Sequence, residues 1–208
     1  NKAATEMRER AFNMIDSSMI NTPPLLCTFH KFGLLFLKFH MSELNRKNNF
    51  IIIDTDDKKR IIKSLEKDIT TALLVSEISR YKNSLLTPAE AKSAAQLKLY
   101  QQIADIYEQY EAYLEKNNLV DFDDLLLLPY KILKDNQKLA LEISQKYQYI
   151  MVDEYQDTNE LQYRLLRLLC SSHNNLCVVG DDDQSIYGWR GATIKNILNF
   201  SEHFENTN

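Results

Sequence analysis

An α/β fold with parallel strands is predicted by three features of the segment from Tyr147 to Ala192. Two short apolar runs, Tyr149-Ile150-Met151-Val152 and Leu176-Cys177-Val178-Val179, do not alternate with polar residues and are too short for helices. Strands that are apolar on both faces belong in a sheet covered on both sides, which is usually parallel. Between the runs, Glu160 to Leu169 sets Leu161, Leu165, Leu168 and Leu169 on one helical stripe. Strand, helix and strand make a βαβ unit with a right-handed crossover. Finally, each strand stops at an acidic cluster. The first runs into Asp153-Glu154, then Gln156 and Asp157, and the second into Gly180-Asp181-Asp182-Asp183-Gln184.

In parallel strands these ends point the same way, and the crevice beyond them is where open α/β sheets bind ligands. Carboxylates converging there repel one another unless a cation or ordered donors compensate them. Mg²⁺ with a phosphate sharing it meets that need. A single Asp after a strand would read as a solvated turn residue. Two clusters on adjacent strand ends, each with a Gln at a short offset, favour a site.

The composition is that of an ordinary soluble protein, with 44% hydrophobic and 26% charged residues in 208. That length supplies a real core in one large or two small domains. The longest apolar runs, such as Leu125–Leu128, are far too short to span a bilayer. Asn1–Asp16 is polar and charged, unlike a signal peptide. Cys27, Cys170 and Cys177 are odd in number and have no C-x-x-C spacing, so they read as small core residues of a reduced, cytosolic protein. A net charge of -4 argues mildly against nucleic acid, but the acid is concentrated in Asp121–Asp124, Asp153–Asp157 and Asp181–Asp183. A metal-nucleotide site accounts for much of it.

Asn1 to Ile15 is helical in character, with Ala3, Met7, Ala11 and Met14 on one side. Pro23-Pro24 ends that region, and Leu25-Leu26-Cys27 reads as a third short strand. Thr28 then caps an apolar helix through Leu34–Phe39, with His30 a partly buried residue of its first turn. Phe50 to Asp54 fits either a strand or the lead-in to a helix, and Thr55-Asp56-Asp57 caps the helix from Lys58 to about Lys67. The sequence stays helical to Asn118 with a break at Asn83–Pro88. Gln96–Lys116 is the clearest stretch, because Leu99, Ile103, Ile106, Tyr110 and Tyr113 recur at steps of four and three as a core stripe. Asp121 serves as N-cap before Leu125–Leu128, and Asp123 and Asp124 suit the dipole of the first turn. An EF-hand reading of Asp181–Asp183 fails, since position six is not Gly and residue 192 is Ala. Ile194 to Phe200 starts a last helix, and Ser201–Asn208 is polar.

VDEYQDTN (Val152–Asn159) and VVGDDDQSIYGWRGA (Val178–Ala192) resemble motifs II and III of superfamily 1 DNA helicases of the UvrD/Rep/PcrA type. Asn1-Lys2-Ala3-Ala4 resembles the downstream half of motif Ia, and Thr28-Phe29-His30-Lys31-Phe32-Gly33 resembles motif Ib. The resemblance spans essentially the whole chain; it is specific at 149–192, less so at 1–10 and 28–33, and weak at 40–118. It implies a motor that couples ATP hydrolysis to 3′-to-5′ movement on single-stranded DNA and unwinds duplex DNA, in repair or replication. By the same resemblance Asp153 holds Mg²⁺, beside Glu154, which orients the attacking water and takes its proton. Gln184 senses the γ-phosphate, Arg190 joins it at the nucleotide, and Asn1, Lys2, Thr28, His30, Tyr187 and Trp189 meet DNA.

The implied fold is a partial RecA-like sheet of the P-loop NTPase class, with residues 1–41 and 121–208 as the two parts of domain 1A. Residues 42–120 are then a helical insertion like subdomain 1B. The chain's four glycines, Gly33, Gly180, Gly188 and Gly191, form no G-x-x-x-x-G-K-[ST] phosphate loop. A fragment of a longer cytoplasmic helicase is therefore expected, inactive alone and completed by an upstream Walker A segment and a second RecA-like domain. An unpaired strand edge in such a fragment invites self-association. Two other classes compete: a non-catalytic single-stranded DNA-binding module, and a carboxylate-metal nuclease on Asp153, Glu154 and Asp181, which no nearby His completes.

Overall fold

The structure, a computed structural model, describes residues 2–14, 24–181 and 183. The chain opens with α1 (Lys2–Met14) and α2 (Phe29–His40), the latter followed by a 3₁₀ turn at Met41–Leu44. A mostly helical stretch follows: β1 (Ile51–Ile52), α3 (Thr55–Leu65), α4 (Thr71–Asn83), α5 (Pro88–Ala94), α6 (Lys98–Lys116) and β2 (Leu119–Val120). The remainder runs α7 (Asp124–Asp135), α8 (Gln137–Lys146), β3 (Ile150–Val152), α9 (Glu160–Leu169) and β4 (Leu176–Val178). Among the described residues no helix is long and apolar enough to cross a membrane.

The βαβ unit forms as the sequence predicts. β3 and β4 pair in parallel with Ile150 opposite Leu176, Met151 opposite Cys177 and Val152 opposite Val178. The ladder continues past the strands, since Val179 N–H donates to Val152 O at 2.8 Å and Tyr155 N–H donates to Val179 O at 2.9 Å. The crossover helix α9 has the predicted limits and buries Leu161, Leu165 and Leu169, with Leu168 at the margin of the core. Double-sided cover is not found among the described residues. Val152 and Leu166 pack with Tyr155 on one side, whereas Met151, Cys177 and Val179 on the other are exposed. Cys177 is therefore not the core residue expected from its position in a strand, while Cys170 is buried.

Two apolar cores form. The first joins α2, α7 and α9 through Phe36, Leu37, Leu125–Leu128, Leu161 and Leu165. α2 and α7 approach so closely that any Cβ on Gly33 would collide with the carbonyl oxygen of Leu125. Pro129, inside α7, has no N–H to offer that carbonyl four residues back. A missing donor and a missing side chain thus meet at one contact. The second core lies within residues 53–114 and contains Ile62, Leu74, Ile78, Ile103, Tyr107 and Tyr110.

Four local expectations are corrected. Residues 24–28 form no strand; a strand is sustained by its ladder, and no ladder bond joins this stretch to β3 or β4 among the described residues. Phe50–Asp54 is both of its alternatives in turn, because β1 pairs in parallel with β2 and Asp54 then caps α3 in a capping box with Asp57. The cap thus falls one residue before Thr55. On α6 the buried stripe is Ile103, Ala104, Ile106, Tyr107, Tyr110 and Leu114, leaving Leu99 and Tyr113 about two-fifths exposed. The stripe faces α3, α4 and α5, which turns it toward Tyr107. On α1, Met7, Phe12 and Met14 are exposed, so the expected apolar side is not covered by the described residues.

A buried ionic cluster joins the two cores. The N-cap position of α7 is Asp123 rather than the expected Asp121, and its side chain makes no capping bond. Asp121, two residues earlier, still accepts from Asp124 N–H through Oδ1 at 2.9 Å, and Asp124 Oδ2 accepts from Asp121 N–H at 3.2 Å. The other oxygen of Asp121 is committed elsewhere. Oδ2 accepts from Lys82 Nζ at 3.1 Å and Tyr110 O–H at 3.0 Å, with Lys58 Nζ also at 3.1 Å. Lys82, fully buried, also donates to Asp124 Oδ1 at 2.7 Å and lies 2.7 Å from Glu111 Oε1. Lys58 reaches Asp123 Oδ2 at 2.9 Å and Ser79 Oγ at 3.0 Å.

Burial disfavours charge at Asp121, but Lys82 and Lys58 outweigh it and hold its carboxyl well below the usual range. Burial and the Asp121 charge push Asp124 up to about 8 against the pull of Lys82. At Lys82 burial is again opposed, here by Asp121, Asp124 and Glu111, and its ammonium stays charged to well above its ordinary pKa. Breaking a buried pair from one side strands the other charges, which typically costs about 3–5 kcal/mol. Lys82→Met should therefore lower the urea unfolding midpoint of this chain steeply, and Lys92→Met, which removes an exposed pair with Asp105, should leave it in place. Equal midpoints for the two variants would show that the cluster does not hold the fold.

Candidate functional site

The acidic turns converge because β3 and β4 run the same way and stop in register. After Val152 the backbone turns through Asp153 and Glu154 into a 3₁₀ turn, Tyr155–Asp157. Glu154 sits in the left-handed region at φ 52° and ψ 43°, a conformation that residues with a side chain seldom adopt. Asp153 Oδ1 accepts from Glu154 N–H at 3.0 Å and holds this bend. Tyr155 anchors the turn from below, fully buried against Val152 and Leu166. Thr158 O–H donates back to Tyr155 O at 2.7 Å.

Gln156 ties the two clusters together. Its side chain is buried, with Nε2 donating to Glu154 Oε2 at 2.6 Å and Oε1 accepting from Asp181 N–H at 3.0 Å. The Glu154 carboxylate is thereby held in one orientation relative to the end of β4. Asp181 Oδ1 in turn accepts from Asp183 N–H at 3.1 Å. Burial and the adjacent Glu154 charge raise the Asp157 carboxyl above its ordinary value. The sequence marked Gln156 only as an amide at a short offset; its bridging role needs the juxtaposed strand ends.

Asp153 and Glu154 are exposed carboxylates at a strand end, hard oxygen donors of the kind Mg²⁺ takes together with waters and phosphate oxygens. The donor set fits that ion. Among the described residues no three His, Cys, Asp or Glu side chains gather closely enough to hold a metal by themselves. The acids at Asp121–Asp124 are occupied by lysines, which leaves a capping and ion-pairing role for them.

The other predicted site residues divide three ways. Thr28 caps α2, its hydroxyl accepting from Lys31 N–H at 3.2 Å. His30 is half-buried and stacks on Phe122 with ring centroids 3.9 Å apart and planes 16° from parallel. Burial lowers its pKa, opposed by the Asp123 charge. Lys2 is almost fully exposed on α1, 3.8 Å from Glu6. Asn1, Gln184, Tyr187, Trp189 and Arg190 lie outside the described residues, as do the predicted helix from Ile194 and the polar end of the chain.

Two further residues enter from the geometry. Phe29, beside Thr28, packs against both the first core and the Val152–Tyr155 cluster, so α2 and the acidic turn share a contact. Phe122 is 60% exposed and presents a flat face beside His30. Its signal in the sequence is an aromatic ring between two acids in the turn before a helix, where burial is not required of it.

Residues 1–205 match the family described as UvrD/REP helicase N-terminal domain. The chain is 39% identical over 217 residues to a protein described as a probable DNA helicase II homolog from Mycoplasma capricolum. It is equally similar, at 39% over 216 residues, to the ATP-dependent DNA helicase Rep of Buchnera aphidicola from Acyrthosiphon pisum. The ATP-dependent DNA helicase PcrA of Staphylococcus aureus Mu50 is also 39% identical over 216 residues. These alignments take in 99%, 99% and 100% of this chain but 30%, 33% and 29% of the relatives. The chain thus spans about a third of the length of the proteins it matches.

Gln156→Leu keeps the volume of the side chain and removes both of its bonds. The Asp181 N–H, only part-buried, is then left to water, which costs less than the ~1–3 kcal/mol of a fully buried unsatisfied donor. The Asp181 amide should lose its protection against hydrogen exchange in this variant, and the Val179 amide, bonded to Val152, should keep its own. Unchanged protection at Asp181 would mean that the bridge does not hold the second cluster.

Proposed function

The chain belongs to the UvrD/REP helicase family, as its N-terminal domain, and we propose that it supplies the nucleotide-facing and part of the DNA-facing surface of an ATP-dependent DNA helicase. In the full-length protein, ATP hydrolysis drives 3′-to-5′ movement on single-stranded DNA and separation of the duplex. The observation that carries this reading is the convergence of Asp153-Glu154 with Asp181 at the ends of parallel strands, with Gln156 bonded to both sides. Its relatives Rep and PcrA are described as ATP-dependent DNA helicases, which favours a motor over a non-catalytic DNA-binding module.

Each residue has a role that follows from its chemistry. Asp153 and Glu154 would hold Mg²⁺, which when bound with ATP neutralises charge on the phosphates. Glu154 is the general base: its carboxylate accepts a proton from the attacking water while Gln156 keeps it oriented. Gln184 senses the γ-phosphate, and Arg190 assists there. On the DNA side, Thr28 and His30 meet the backbone, Tyr187 and Trp189 stack on bases, and Asn1 and Lys2 extend the contact. The exposed ring of Phe122 beside His30 suits the same face.

Residues 1–41 and 121–208 make up the RecA-like part, and 42–120 an insertion of the 1B type, a division supported by the separate core within 53–114. The phosphate-loop strand of this fold would lie beside β4, on the side away from β3. The upstream Walker A segment and a second RecA-like domain complete the motor. Among the described residues no strand pairs with β4 on the side away from β3, and an edge left so favours self-association. Free thiols at Cys27, Cys170 and Cys177 suit the cytoplasm.

Two measurements test this reading. In the full-length protein, Glu154→Gln should cut ATP hydrolysis by on the order of 10²–10⁴ while nucleotide and DNA binding survive, the range typical of a general base. Hydrolysis within a few-fold of wild type would remove Glu154 from that role. The sequence of these 208 residues has no G-x-x-x-x-G-K-[ST] motif, the source of the backbone cradle and Lys for the β- and γ-phosphates. Calorimetry on the isolated chain should accordingly find weak Mg²⁺-ATP binding at best, and micromolar affinity would contradict the assignment of phosphate binding to the Walker A segment.

A further inference from the structure

The N-terminus of α9, directly after the acidic turn, is held from outside its own segment. Asn159 caps α9 in a capping box: its Oδ1 accepts from Gln162 N–H at 2.9 Å and Gln162 Oε1 accepts from Asn159 N–H at 2.9 Å. Its remaining polar group, Nδ2, donates to Asn83 Oδ1 at 2.8 Å. Asn83 is the last residue of α4, in the middle of the helical stretch between β1 and β2. Its own Nδ2 donates to Asp123 Oδ1 at 2.9 Å and to Ser79 O at 2.9 Å. Asp123 Oδ2 is fixed by Lys58 at 2.9 Å and Ser79 O–H at 2.6 Å. Asp123 also follows Phe122, the ring stacked on His30.

We infer that Asn83 is a positioning residue for the nucleotide site, and that the relay Asp123–Asn83–Asn159 joins the Phe122 turn and the helical stretch to the Asp153–Asp157 turn. The inference rests on the nucleotide reading of Asp153 and Glu154. The hydrogen bonds of the Asn83 side chain go to Ser79, Asp123 and Asn159; it acts by fixing the plane of the Asn159 amide, which sets where α9 begins. Only two residues, Thr158 and Asn159, separate Asp157 from α9. A shift of that cap therefore moves the turn that carries Glu154. A displacement of the Phe122 turn passes to Asn159 through two hydrogen bonds, and one of α4 through a single bond, with no intervening loop.

The test uses the full-length protein that carries this chain, with ATP and a single-stranded oligonucleotide as probes. Hydrolysis is measured with and without the oligonucleotide for wild type, Asn83→Ala, Asn159→Ala, the double variant and Lys92→Ala, whose exposed pair with Asp105 lies in the same helical stretch. For Asn83→Ala the DNA-stimulated kcat should fall on the order of tenfold, with KM for ATP within about twofold of wild type, the size expected of a coupling between sites. The double variant should fall no further than Asn159→Ala alone, and Lys92→Ala should match wild type. A merely structural role would lower the fraction of folded protein and scale stimulated and unstimulated rates together, leaving their ratio unchanged; that result overturns the inference. Additive losses in the double variant overturn it as well. Should Asn83→Ala fail to fold, Asn83→Ser is read by the same ratio. Glu154→Gln separates the two levels: if it abolishes hydrolysis while Asn83→Ala keeps a wild-type ratio, the relay alone is wrong. If Glu154→Gln stays active, the nucleotide reading falls and the relay with it.

Discussion

A fully buried ammonium group constrains the arrangement of much of the chain. Lys82 has carboxylate oxygens of Asp121, Asp124 and Glu111 within 3.1 Å, and they come from α6, α7 and the turn after β2. Withdrawing such a charge from water is costly, and the attraction of its partners repays the cost only in one geometry. A buried ion pair is therefore weak evidence for stability, since an apolar set of matching volume can do as well. What it supplies is uniqueness. A sliding of α4 along α7 that an apolar contact would tolerate leaves Lys82 or Asp121 without a partner. The end of α4 is fixed by this requirement, and Asn83 follows Lys82 in sequence.

The second constraint is topological. Parallel strands in register bring their carboxyl ends to one edge, so an acidic residue after each strand must meet its counterpart. Repulsion there is relieved by Gln156 and by backbone donors, and Glu154 accepts a left-handed backbone to reach its place. Such strain persists only where the surroundings impose it. The buried Tyr155 below and the Val179 carbonyl that accepts its N–H are what impose it.

Features set by local pattern were legible in the sequence. The limits of α9, the parallel pairing of β3 with β4 and the Thr28 cap all follow from spacings of a few residues. The acidic turn and its meeting with Asp181 were legible for the same reason, given two strands and a crossover. Features set by distant partners were not. β1 exists because Leu119 and Val120 arrive beside Ile51 and Ile52, whereas Leu25–Cys27, as apolar as β1, has no such ladder among the described residues. The α6 stripe is centred on Tyr107 rather than spread from Leu99 to Tyr113 because three helices pack on it from one side. The lysines were the least legible. Lys58 and Lys82 meet acids 65 and 39 residues away, and nothing in a helical run of charged residues marks which one will be buried.

Residue type at the two bridging positions follows from hydrogen-bond inventory. Gln156 must donate to a carboxylate and accept from a backbone N–H at once. Asp or Glu in its place could accept only, and would add a further negative charge to the cluster; Lys or Arg could donate only. A primary amide has both functions on one planar group, two bonds apart and uncharged, and its length matches the gap between the strand ends. Asn83 faces the same demand, donating to Asp123 while accepting from Asn159. There the shorter amide suffices because α4 itself brings the backbone close. An acid at position 83 would face the Asp123 carboxylate, and an apolar residue would leave Asn159 Nδ2 and Asp123 Oδ1 to find other partners. At both positions the side chain is chosen by what two neighbours lack, and that links the acidic turn to β4 on one side and to α4 on the other.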